Sequence, residues 1–393
     1  MSVTAPAGWL ASGVRAGTKP SGDLDLALVW SEHPATVAGA FTTSRVPSAH
    51  VILCRPRVST GAARGVLVSA GIANAFTGPA GLEDAVRLAE AAADATGTAP
   101  EEMLVCATGT IGPRIPVDDV LPAIERASKE LSTSGGADAA RAILTTDKQP
   151  KTASRTVEVD GKAVTVGGMA KGAGMIAPNM EPQATLLVFV TTDAAADAAT
   201  LRGVVASVVP YTFNAISVDR CMSTSDTVLL FANGASGADV SGSRSFSAAV
   251  REVMSELAYA CVADGEGATR VIRVRVTGAV TEDEAREAAR EIASSDLLRS
   301  AVWGNDPNLG RIVQALGQAP VTVEPDRLLV SMAGVPLSDG GRETGRRPEA
   351  AKALARGGDA LIEADLGLGH ASFEFLSCDL TPEYVTFNAE YTT

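Results

Sequence analysis

A glycine-rich segment that runs directly into an apolar strand constrains this chain more than any other feature. Residues 171–184 read KGAGMIAPNMEPQA, and TLLVFVTT follows from Thr185. The first stretch needs the backbone freedom of a loop, while the second needs burial in a sheet. The chain therefore passes from loop to core at Ala184–Thr185, with a hydroxyl at the junction. Cutting that bond would give Thr185 a free α-amine beside its own hydroxyl. The amine can then serve as the base the hydroxyl otherwise lacks. An α-amine has a pKa of roughly 7.7–8.0, so much of it is neutral near physiological pH. The plainer reading is that Thr185 only opens a core strand.

Other features exclude competing classes. The 393 residues carry 46 acidic and 33 basic side chains, a net charge of −13. That balance, with no basic run, argues against nucleic-acid binding, which needs a basic stripe. Five cysteines are scattered without a CxxC pair, which fits a reducing compartment and no structural zinc. MSVTAPAGWL lacks the basic and apolar regions of a secretion signal, and no apolar run has the length of a membrane span. The expectation is a cytoplasmic protein that binds neither nucleic acid nor membrane.

Strand-like runs lie at 24–30, 37–43, 50–54 and 64–70, followed by helical patterns at 82–95 and 117–131. A hairpin with Asp160-Gly161 at its turn is expected within 154–169. Further elements are a strand at 185–192, a helix near 194–208, a strand at 226–232, a long helix at 245–264 and a strand at 270–280. Thr281 and Glu284 form a capping-box signature for the next helix. The tail reads as alternating strand and turn through YVTFNAEY. Such clusters of strands and helices imply an α/β protein of the layered α+β kind.

Only three histidines are present, His33, His50 and His370, and none stands in a nucleophile-elbow setting. A nucleophile carrying its own base needs none of them, which favours Thr185. CATGTIG, Cys106 to Gly112, reads as a strand-to-helix turn that could aim backbone N–H groups and a hydroxyl at one point. An oxyanion hole needs such preoriented donors, although a plain strand-to-helix turn made permissive by glycine is the better reading of the run taken alone. DRCMSTSDT (219–227) is readable as substrate contact or as turn hydrogen bonding. In DGEGAT (264–269) Glu266 lies between glycines that let a ligand approach, or is simply solvated. NDPNLGR (305–311) reads first as a turn and helix start. The GAG at 172–174 lacks the rest of a phosphate loop.

Taken in order, GVRAGTKPSGDLDLAL, NAFTG, ATGTIG, ILTTDKQPK, GGMAKGAGMIAP, ATLLVFVTTDA, STSDTVLLFANG, DGEGATRVI, DPNLGR and DLTPEYVTFNAEYTT resemble the ornithine acetyltransferases of the arginine pathway. Members are also described as bifunctional glutamate N-acetyltransferases. The likeness spans essentially the whole chain. It implies an α/β fold similar to N-terminal-nucleophile hydrolases with different connectivity. It implies a precursor that cuts itself at Ala184–Thr185 into halves 1–184 and 185–393, commonly assembled as α2β2. It implies Thr185 as nucleophile and Thr108 with Gly109 as the oxyanion-hole pair. Thr145, Lys171, Thr185, Glu266, Asn388 and Thr393 match substrate-binding positions. The implied reaction moves acetyl from N2-acetylornithine to glutamate through an acetyl-threonine, with no cofactor or metal; acetyl-CoA as a second donor stays open.

Two positions depart from the family pattern. Glu181, Pro182 and Gln183 stand between Met180 and the Ala-Thr pair, where the family has nothing, and Leu309 replaces a common aromatic. The first departure keeps alternatives open: a paralogue of a secondary pathway, an N-acyl amino acid hydrolase, or an uncleaved amino-acid-binding protein.

Overall fold

Strand β1 (Trp9–Val14) pairs antiparallel with β2 (Leu26–Ser31). A computed structural model describes residues 2–177, 180–181 and 186–390, and these form two compact units. One unit runs through to Asn214 and again over Cys221–Cys261; the other takes Ala215–Arg220 and the residues from Val262 onward.

The first unit holds two sheets. The remaining strands of its first half are β3 (Thr36–Thr42), β4 (Gly65–Ile72), β5 (Met103–Thr110), β6 (Lys151–Val159) and β7 (Lys162–Lys171). They are followed by the short β8 (Met180–Glu181), then β9 (Leu187–Thr192) and β10 (Thr227–Ala232). One sheet has the order β1-β2-β4-β5, and the other β6-β7-β9-β10-β3-β8. Strands on both sides of residue 185 thus share one sheet, with β9 between β7 and β10. Every described residue of β9 and β10 is buried, which is why both strands read as largely apolar runs. Trp9, Leu28 and Leu67 join Phe189, Leu229 and Phe231 in one core. The Trp9 and Phe231 rings meet edge-on at 5.7 Å.

Helices α1 (Ala49–Thr60), α2 (Gly78–Thr96), α3 (Val117–Lys129), α4 (Gly136–Ala142), α5 (Ala198–Val208) and α6 (Arg244–Ala263) complete this half of the chain. Helix α1 packs on β3 and β5. It corrects the strand expected at 50–54. The apolar run HVILC hides a helical period, since His50, Val51, Cys54 and Val58 are the buried positions. The Asp160-Gly161 hairpin forms as expected, with φ of 49° and 76° at its two turn residues.

The second unit centres on β11 (Val271–Ala279). Around it stand β12 (Leu329–Met332), β13 (Val335–Pro336), the small pair β14 (Ser338–Asp339) and β15 (Arg342–Glu343), β16 (Ala360–Asp365) and β17 (Ala371–Cys378). The main sheet has the order β13-β12-β16-β11-β17. Helix α7 (Glu282–Ala293) covers Ile272, Val274 and Val276, and Thr281 caps it by accepting from Glu284 N. Helices α8 (Asp296–Trp303) and α9 (Leu309–Gln318) follow. The tail departs from the expected strands, because α10 (Arg347–Leu354) and α11 (Pro382–Glu390) are helices, each with a proline in its first turn. The layered α/β class is as the pattern implied.

Candidate active site

Strand β5 carries Thr108 and Gly109 near its end, so the first five residues of CATGTIG are strand and only Ile111 and Gly112 lie beyond it. Gly109 lies beside Gly71 of β4. Its φ is +125°, and a Cβ there would stand 2.3 Å from the Gly71 carbonyl carbon. No side chain fits such an approach. Behind Gly71 runs the strap of the opening motif: Asp25 accepts from Thr18 N at 2.6 Å and Lys19 N at 3.0 Å, and Thr18 Oγ1 donates to Ala70 O at 2.7 Å. The opening motif therefore braces the end of β4 on which Gly109 leans.

Lys171 ends β7. Its buried Nζ donates to Thr108 Oγ1 at 3.1 Å, linking the two sheets. Burial lowers its pKa, with the Asp147 carboxylate pulling the other way. Asp147 is the hub beneath it. The Asp147 carboxylate accepts from Lys151 Nζ at 2.6 Å, Gly172 N at 2.7 Å and Thr145 N at 3.1 Å. Burial alone would raise its pKa, yet the Lys171 and Lys151 ammonium groups hold it below the usual carboxylate range. Thr145 is thereby fixed by its backbone to the group that neutralises Lys171.

The chain enters β9 at Leu186, whose carbonyl accepts from Thr227 N at 2.7 Å. Leu187 is flanked in register by Lys171 on β7 and Thr227 on β10. Asp226, just before Thr227, is buried, and among the described residues neither of its carboxylate oxygens has a hydrogen-bond partner of good geometry. Burial pushes its pKa well up, against the nearby Ser223 hydroxyl and Lys171. The structure thus brings Thr108, Gly109, Lys171 and the Thr145 backbone to one end of the first unit. In the second unit, Asn388 Nδ2 donates to Glu266 Oε2 at 3.0 Å. Ala184, Thr185 and Thr393 lie outside the described residues.

Asp147 and His50 escaped the reading of the sequence as site residues, and Asp226 was covered only as part of the 219–227 cluster. The signal for Asp147 was its spacing of four from Lys151; for Asp226 it was an acid placed directly before a largely apolar strand. A cavity of about 570 Å³ elsewhere in the first unit, lined among others by Ser2, Thr133 and Arg141, includes none of the candidate residues. Among the described residues no helix is long and apolar enough to cross a membrane, and no cluster of His, Cys, Asp and Glu could hold a metal ion.

Comparison with known proteins identifies the family of the chain. The ArgJ family model matches residues 10–393. The chain is 44% identical over 398 residues to the arginine biosynthesis bifunctional protein ArgJ of Symbiobacterium thermophilum, covering 100% of this chain and 98% of that protein. It is 43% identical to the protein of the same name from Streptomyces coelicolor, with 100% of both chains covered. A crystal structure of ornithine acetyltransferase from Mycobacterium tuberculosis, complexed with ornithine, is 44% identical with a TM-score of 0.42, covering 46% of this chain and 95% of that one. The chain belongs to the ArgJ family.

Proposed function

We propose that this chain is an acetyltransferase that moves the acetyl group of N2-acetylornithine to glutamate. The family match over residues 10–393 and relatives named for arginine biosynthesis support the substrates. A fold related to N-terminal-nucleophile enzymes, with its own connectivity, belongs to the same reading. The observation that carries the chemistry is the meeting of Lys171 and Thr108 at the end of the first unit where the chain enters β9. In sequence, the residue before Leu186 is Thr185.

After cleavage of Ala184–Thr185, the Thr185 α-amine takes the proton of its own hydroxyl. The oxygen attacks the acetyl carbonyl, forming a C–O bond. Thr108 and Gly109 donate to the resulting oxyanion. The C–N bond breaks as the ammonium returns its proton to the departing ornithine nitrogen. The glutamate amine then attacks the ester carbonyl and forms a C–N bond. The ester C–O bond breaks, the proton lost by that amine passes through the Thr185 α-amine to the threonine oxygen, and N-acetylglutamate leaves. Lys171 pairs with a substrate carboxylate and Glu266 with an amino-acid ammonium, each a charge-assisted contact. Thr145, Asn388 and Thr393 complete the substrate contacts. The fragments 1–184 and 185–393 stay associated, as α2β2. The scheme calls on no metal or organic cofactor.

Thr185→Ala is the test. Loss of both self-cleavage and transfer supports the scheme, and full transfer by the variant contradicts it. The covalent intermediate also requires ping-pong kinetics. The run at Glu181 favours one second reading, an uncleaved amino-acid-binding protein, because Glu181 pairs with Phe41 at the edge of β3 and so belongs to the sheet. A single full-length band on a denaturing gel, with ligand binding and no turnover, is its signature.

A further inference from the structure

Strand β5 is the outer strand of its sheet. Its even-numbered residues face β4, as the bond from Ala73 N to Thr110 O shows. The polar groups of its odd-numbered residues face outward and lack a strand partner among the described residues. Helix α1 supplies partners from one face. Arg57 donates to Met103 O at 2.7 Å. Cys54 Sγ accepts from Val105 N at 3.3 Å and donates to Val105 O at 3.1 Å. His50 Nδ1 accepts from Ala107 N at 3.2 Å. Positions 50, 54 and 57 share one helix face, and they serve 107, 105 and 103 in turn. The next outward amide in that row is Gly109 N–H. Helix α1 begins at Ala49, so it has no further turn to offer. The row of capped amides stops one step short of the proposed oxyanion donor.

His50 is the last cap, and its ring state follows from its neighbours. A backbone amide can only donate, so Nδ1 is unprotonated and the proton of the neutral ring sits on Nε2. Nε2–H donates to Ser225 O at 3.1 Å, and the Ser48 hydroxyl lies 2.9 Å from Nδ1. His50 therefore joins the residue before Thr108 to the residue before Asp226. No strand pairing connects β5 with β10, which lie in different sheets. The imidazole spans that gap, beside the backbone bonds from Ser48 N to Thr224 O and from Ala49 N to Asn74 O.

We infer that His50 is a positioning residue for acetyl transfer: it holds the end of β5 so that the Gly109 amide, next in the row, is left free for the oxyanion. The ring touches neither substrate nor acetyl group. The inference rests on the proposed acetyl transfer and adds a residue to it.

The experiment measures kcat and KM for N2-acetylornithine, and single-turnover acetylation by intact mass, in His50→Leu and His50→Asn. The leucine side chain fills the space but leaves Ala107 N–H without an acceptor. The asparagine Oδ1 restores one close to the Nδ1 position. The expected result is a kcat loss of at least about tenfold for the Leu variant, since small misplacements of reacting groups carry such costs. KM should hold within about twofold and cleavage should persist, with most of the loss recovered by Asn. A folded, cleaved Leu variant with wild-type kcat overturns the inference, as does equal loss in the Leu and Asn variants, which marks packing alone. If the Leu variant does not fold, His50→Gln replaces it. Gln carries its amide one bond further out, so Asn should exceed Gln in kcat, and the reverse order overturns the inference. Failure of the underlying reaction is visible separately, as a wild-type protein that never gains an acetyl group.

Discussion

Lys171 Nζ donates to Thr108 Oγ1 across 3.1 Å, and both side chains are buried. A hydroxyl that accepts from an ammonium has its lone pair engaged, and its own proton turns away from the lysine. Thr108 is thereby oriented as a donor before any oxyanion forms, which is what electrostatic preorganisation requires. Thr108→Val should cost on the order of 10²–10³ in kcat with a smaller change in KM. Thr108→Ser should recover most of it. Steady-state kinetics on cleaved protein checks both, and equal activity of the Val and Ser variants would count against the hydroxyl's role.

Asp147 and Lys151 form an ion pair at 2.6 Å whose side chains are 0% and 1% exposed. Removing one partner leaves a buried charge uncompensated. Asp147→Ala should lose roughly 3–5 kcal/mol of stability, the range for breaking a buried pair. Urea unfolding of the two variants Asp147→Ala and Asp147→Asn measures it, with Asn expected to lose less because it keeps acceptors for Gly172 N and Thr145 N.

His50 has its pKa pushed down to about 4 by burial, against an ordinary value of 6.5. Between those pH values the unfolded chain binds a proton on this residue that the folded chain does not. Stability from His50 is therefore complete above pH 6.5 and is lost as pH falls toward 4. The shift corresponds to about 3 kcal/mol. Asp226 acts with the opposite sign, because its raised pKa makes the folded state the better proton binder above the ordinary carboxylate range. The informative quantity is thus the difference between wild type and His50→Asn across pH 4–7, which cancels Asp226. That difference should shrink as pH falls; a flat difference would contradict the buried neutral ring.

Gly109 and Gly203 make opposite predictions for the same substitution. A Cβ at Gly109 would meet the Gly71 backbone at 2.3 Å, whereas one at Gly203, inside α5, meets nothing within 4 Å. Gly109→Ala should abolish transfer and destabilise the fold by more than about 2 kcal/mol through backbone displacement. Gly203→Ala should stabilise by roughly 0.4–1 kcal/mol, because it restricts the unfolded chain. Thermal melts of both variants test the pair.

Legibility followed the range of the interactions. The β6–β7 hairpin and the α7 cap were readable because an Asp-Gly turn and a Thr-x-x-Glu start are decided within four residues. Thr108, Gly109 and Lys171 were nameable through their motifs. Their contact was not, because it joins two sheets across 63 positions of sequence. Helix α1 was misread because HVILC is rich in strand-forming side chains, while its fate is set by packing against β3 and β5. His50 escaped for the same reason: its partners at 107 and 225 are distant in sequence, and a lone histidine gives no local sign of them.

The most direct measurement is an intact-mass spectrum of the purified protein, taken before and after addition of N2-acetylornithine without acceptor. Two polypeptides should appear, the second beginning at Thr185, and only that one should gain the mass of a single acetyl group and lose it when glutamate is added. A single unbroken chain that turns over acetylornithine, or an acetyl group carried on any other residue, would contradict the assignment of Thr185.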